Sequence, residues 1–139
     1  MYNFFMNKHI PILIIEDEKI HQEYLLRFLE RQGLQADVAG SLQEAIEALT
    51  TAITQNRSYG LLLLDIMLPD GTGHDLLEQL RNDARLSTYK FNNCRIIMIT
   101  GMDDLKHIAG AFAEECDAYL TKPVKEAQLV ELLEKFHIL

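Results

Sequence analysis

Hydrophobic positions fall into two alternating patterns along the chain. "IPILIIEDE" (10–18) is a continuous, β-branched apolar run closed by acids. Such a run predicts a strand covered on both faces. The next stretch puts Ile20, Tyr24, Leu25, Phe28 and Leu29 on one helical face, with Gly33 where a C-cap belongs. "LQADVAG" is a weaker strand. Ser41 then predicts an N-cap, with Glu44 completing a capping box and a helix running to about Gln55. "YGLLLLDIM" repeats the buried-strand pattern, Asp70-Gly71 marks a turn, and a helix covers about 73–82. "ARLSTYKFNN" reads as a polar connector and "CRIIMITG" as a third buried strand. A helix over about 103–114, a short strand "AYLT", the pair Lys122-Pro123 and a last helix over about 125–136 complete the chain.

Five strands alternating with five helices predict an α/β domain with one parallel sheet and helices on both faces. The three greasiest strands, ending at Asp17, Asp65 and Thr100, belong in the centre, and right-handed crossovers favour the order 2-1-3-4-5. In such sheets ligands bind beyond the carboxyl ends of the strands, at the switch point between strands 1 and 3. Residues 1–9 read as a loose tail and 10–139 as a single domain.

Composition narrows the function. The 139 residues are 48% hydrophobic and 24% charged, as for one water-soluble core. A net charge of −8 argues against a nucleic-acid-binding surface, which needs Lys and Arg. No apolar stretch approaches the ~20 residues of a membrane span, so a cytoplasmic protein is expected. Cys94 and Cys116 read as small buried hydrophobes, and the five histidines show no paired zinc spacing.

The strand tips carry the chemistry. In the predicted order Glu16 and Asp17 meet Asp65 at one crevice. Three converging carboxylates repel and raise one another's pKa values, and a divalent cation removes the conflict. An all-oxygen set suits magnesium rather than zinc. Thr100 and Lys122 end neighbouring strands on the same edge and add a hydroxyl and an ammonium. Together these groups can hold a phosphoryl group.

With these motifs the sequence resembles the receiver domain of two-component response regulators, of the chemotaxis-regulator-like kind. "IIEDE", "LLLLDIMLPDGTG", "IIMITG" and "AYLTKP" carry the resemblance in order and spacing, from about Pro11 to Phe136. It implies a flavodoxin-like doubly wound fold and Asp65 as the phospho-accepting nucleophile. It implies Asp17 as a direct Mg2+ ligand, Glu16 acting through water, and Met67 offering its backbone carbonyl to the ion. Thr100 and Lys122 would contact the phosphoryl oxygens, Tyr119 would be the rotating switch aromatic, and Lys122-Pro123 would be cis. The implied donor is a histidine kinase or phosphotransfer protein. The implied readout is a surface formed by the helix over 103–114, the strand "AYLT" and the last helix. That surface would control a downstream protein, a linked output domain or a phosphorylation-dependent homodimer. The expectation is a signalling protein that slowly dephosphorylates itself rather than an enzyme.

Two positions depart from the family pattern: Glu16 stands where Asp is frequent, and Glu115 stands near a frequent glycine. Met67 and Met102 flank the expected phosphoryl position. Both are apolar and unable to orient an attacking water, which implies a persistent phosphorylated state. The chain as given stops after the last helix, so a stand-alone receiver, or an N-terminal receiver detached from its output domain, is expected. The rival readings are a haloacid-dehalogenase-like phosphatase, a flavodoxin-like cofactor binder and a degenerate receiver that only docks partners. The first needs a second acid two residues after the nucleophile, where Met67 stands. The second needs a phosphate loop where "EDEKIH" would repel one, and the complete acid, hydroxyl and lysine set disfavours the third.

Overall fold

The computed structural model describes residues 10–91, 94–101 and 116–139, with backbone alone for Lys90 and Phe91. In chain order the described elements are strand β1 (Ile12–Ile15), helix α1 (Lys19–Arg31), β2 (Ala36–Ala39), α2 (Leu42–Thr54) and β3 (Leu61–Asp65). A small pair, β4 (Met67–Leu68) and β5 (Gly71–Thr72), precedes α3 (Gly73–Asn82) and a 3-10 turn (Ala84–Leu86). The short helix α4 (Ser87–Phe91), β6 (Arg95–Thr100), β7 (Ala118–Thr121) and α5 (Glu126–Lys135) follow. The predicted tail, the predicted helix over 103–114, Met102 and Glu115 lie outside the described residues.

The five main strands form a parallel sheet in the order β2-β1-β3-β6-β7, which is the predicted 2-1-3-4-5 counted over the main strands. Every side chain of β1 and β3 is buried, whereas β2 and β7 are only partly so. Alternation along the strands sends successive side chains to opposite faces. Leu13, Ile15, Leu62, Leu64 and Met98 pack towards Leu49 of α2 and Leu76 of α3. Ile12, Ile14, Leu61, Leu63 and Ile97 pack towards Phe28 of α1 and Leu133 of α5. Removing one such leucine to alanine costs about 2–5 kcal/mol.

The helix ends show which local signals were complete. Gly33 has φ +78°, and its N–H reaches the Glu30 carbonyl while that of Leu34 reaches Leu29, so α1 closes on a glycine as expected. Ser41 caps α2 by accepting the Glu44 N–H at 3.1 Å, but the Glu44 carboxylate takes the Gly40 N–H instead of that of Ser41. The box at Ser41 is therefore half made. A complete box sits at α3, where Thr72 and Asp75 exchange bonds of 3.1 and 2.9 Å.

The connector after α3 is not a simple polar loop. Leu86 and Tyr89 are buried in it, and the Tyr89 hydroxyl donates to the Leu49 carbonyl at 3.0 Å. Cys94 and Cys116 are half-buried against the same core layer, and burial pushes the Cys94 thiol up to about 12. Among the described residues, no helix is long and apolar enough to cross a membrane.

Candidate phosphoacceptor site

β1 and β3 are parallel neighbours in register, Ile15 opposite Leu64, so the residues just past Ile15 meet the tip of β3. That tip is Asp65, 6% exposed at the end of a strand buried along its whole length. Glu16 is 2% exposed beside it, and Asp17 faces solvent. One carboxylate oxygen from each of Glu16, Asp17 and Asp65 lies within 4.8 Å of the others. Two of these acids are buried with few cationic partners, and all donors are hard oxygens. This set fits a magnesium-class ion.

Lys122 reaches into the cluster. Its Nζ is 3.1 Å from Asp65 Oδ2, 3.1 Å from Glu16 Oε1 and 3.7 Å from Glu18 Oε1. The Lys122 N–H donates to the Thr100 carbonyl at 2.8 Å, and the peptide bond to Pro123 is cis. Burial works against the Lys122 charge. The hydrogen bonds to Asp65 and Glu16 outweigh it, so the Lys122 pKa is raised. The same contacts do not bring Glu16 down. Burial, aided by repulsion from Asp65, exceeds the help it receives from the Glu18 N–H and from Lys122, and its pKa is raised.

Other expected residues sit around this centre. Thr100 ends β6 fully buried, with its hydroxyl donating to the Gly101 carbonyl at 3.2 Å. Met67 donates its N–H to Asp65 Oδ1 at 3.2 Å and leaves its side chain 57% exposed. Tyr119 lies opposite Met98 in the β6–β7 register and packs on the core layer shared with α2 and α3. Gly73, the first residue of α3, holds the site close. A Cβ there would stand 3.2 Å from the Asp65 carbonyl and 3.3 Å from the Ile66 Cα.

Comparison with known proteins settles the family. The response regulator receiver domain matches residues 12–134. The chain belongs to the response regulator receiver domain family. This receiver is 32% identical over 121 residues to the transcriptional regulatory protein CusR of Escherichia coli K12, covering 87% of this chain and 48% of that protein. It is 33% identical to the regulatory protein VanRB of Enterococcus faecalis, covering 90% of this chain and 51% of that one. The receiver thus spans about half the length of these relatives. A CheY-like receiver domain from Methylobacillus flagellatus superposes with a TM-score of 0.76 at 28% identity, covering 92% of this chain and 98% of the other. Response regulators are signalling proteins, so the phosphatase and cofactor-binder readings are not favoured.

Four contributors escaped the sequence reading. Glu18 and His21 stand beside Glu16, and the Gln22 amide donates to the Glu16 carbonyl at 2.6 Å. Asp70, read as a turn residue, also accepts the Leu42 and Gln43 N–H groups at 2.7 and 3.0 Å. Glu18 and His21 carry a faint signal, an i,i+3 pair on the first turn of α1.

Proposed function

We propose that the protein is a phosphorylation-driven switch in which Asp65 accepts a phosphoryl group from the phosphohistidine of a histidine kinase or phosphotransfer protein. The observation that carries this reading is a buried Asp65, alone at the tip of a central strand, with the Lys122 ammonium at 3.1 Å. An Asp65 carboxylate oxygen attacks phosphorus in line, the P–O bond forms as the P–N bond breaks, and the departing imidazole takes a proton. Asp17, Asp65, the Met67 carbonyl and, through water, Glu16 would hold magnesium, which would supply charge neutralisation for the converging oxygens. Lys122 exchanges Asp65 for a phosphoryl oxygen, and the Thr100 hydroxyl leaves the Gly101 carbonyl for another. Exposed Ile20 and Met67 give a donor protein apolar edges near the pocket.

The acyl phosphate biases a surface that includes β7 with Tyr119 and α5; the segment 103–114 expected to share it lies outside the described residues. That surface controls a downstream protein, a linked output domain or a homodimer. Residues 10–139 act as the receiver, in the cytoplasm, and catalyse only their own phosphorylation and slow self-dephosphorylation. Intact-mass measurement after incubation with a small phosphodonor and magnesium tests the reading. One phosphoryl group adds to the native chain and none to Asp65→Asn. Equal labelling of Asp65→Asn removes Asp65 from the role.

A further inference from the structure

We propose a second cation site, formed by Glu16, Glu18 and His21, that takes a zinc-class divalent ion. One ligand atom from each lies within 4.8 Å of the other two. His21 Nδ1 is 3.3 Å from Glu16 Oε1 and 3.5 Å from Glu18 Oε1. Ligands about 2.05 Å from a tetrahedral zinc stand about 3.3 Å apart, so these separations are those of a coordination shell. Among the described residues the nitrogen is buried and makes no hydrogen bond, although two carboxylate oxygens face it. It is a donor atom aimed between two anions.

The local backbone fixes the set. Glu18 is the N-cap of α1 and His21 is the third residue of that helix, so both project from one turn. The Glu18 N–H donates to Glu16 Oε2 at 3.0 Å, which turns Glu16 Oε1 towards His21. The Glu16 side chain is 3% exposed, whereas those of His21 and Glu18 are 38% and 60% exposed. The site therefore has a buried floor and an open side, where a water completes four ligands. One imidazole with two carboxylates selects zinc over magnesium, which seeks oxygens alone. Lys122 Nζ now lies 3.1 Å from Glu16 Oε1 and 3.7 Å from Glu18 Oε1. The ion displaces it from both and leaves it to Asp65. The effect on phosphoryl loading rests on the proposed function, whereas binding does not.

The test is a titration of the full chain with zinc alone against a chromophoric chelator, in magnesium-free buffer, because magnesium would compete for Glu16. The expected result is one zinc per chain. His21→Ala and Glu18→Gln should each weaken it at least about tenfold, and His137→Ala should leave it unchanged. Circular dichroism checks folding, and if His21→Ala fails to fold, Glu18→Gln decides alone. Zinc held as tightly by the variants as by the native chain, whether by the cysteines or elsewhere, overturns the proposal.

Discussion

Asp70 and Leu42 are 28 residues apart in the chain, yet the Asp70 carboxylate accepts the Leu42 N–H at 2.7 Å. The loop leaving β3 thereby caps a helix it does not belong to. A second oxygen takes the Gln43 N–H at 3.0 Å, and these bonds hold the Asp70 pKa below its ordinary value, that to Gln43 most strongly. A depressed carboxyl pKa adds stability above the unfolded value of 3.8, lost as pH falls through the native value. Asp70→Ala should lower the melting temperature at pH 7, and its deficit relative to the native chain should shrink in strong acid. A deficit independent of pH would assign it to packing instead.

Glu16 gives the opposite sign. Burial raises its pKa above 4.5, so its charge costs stability at neutral pH. That cost fades as pH falls through the raised value and is gone below 4.5. In metal-free buffer Glu16→Gln should melt higher than the native chain at pH 7, with the two curves converging near pH 4. Thermal melts across this range decide it; a Gln variant less stable at pH 7, with the deficit vanishing in acid, shows that the Lys122 contact outweighs desolvation.

Magnesium provides a third test, since an ion that binds only the folded state stabilises it by mass action. At ten times its dissociation constant the gain is about 1.4 kcal/mol. Melting scans of the native chain should rise with magnesium, and Asp17→Asn should blunt the rise. An undiminished rise in that variant removes Asp17 from the ligand set.

On the proposed function, the exposed Met67 side chain would bear on how long the phosphoryl group survives. A thioether cannot fix an attacking water by a strong hydrogen bond. Met67→Asn should hasten phosphate release from loaded protein by up to about tenfold, equivalent to about 1.4 kcal/mol of barrier. Unchanged release kinetics would show that water access is set elsewhere.

What could be read from the sequence follows from the range of each signal. Runs such as "LLLLD" encode both burial and position, because a strand apolar on both faces has few places to go and its terminal acid travels with it. The convergence of Glu16, Asp17 and Asp65 was legible for that reason. The cap from Asp70 to α2 was not, because nothing local links residue 70 to residue 42. Tyr89 looked like part of a polar connector, since its burial depends on a hydroxyl that reaches Leu49 across the fold. At Ser41 the local pattern promised a full box, but Gly40 offered Glu44 a competing N–H.

Every residue from Leu61 to Asp65 is buried, and this ties the chemistry to the scaffold. A slip of one residue in β3 would move Asp65 off the pocket and turn the whole leucine row to the wrong faces. A lineage carrying this chain therefore has little freedom to shift Asp65 by small steps. Diversification falls instead to positions such as Ile20 and Met67, which can change without disturbing the sheet and which a partner would touch first.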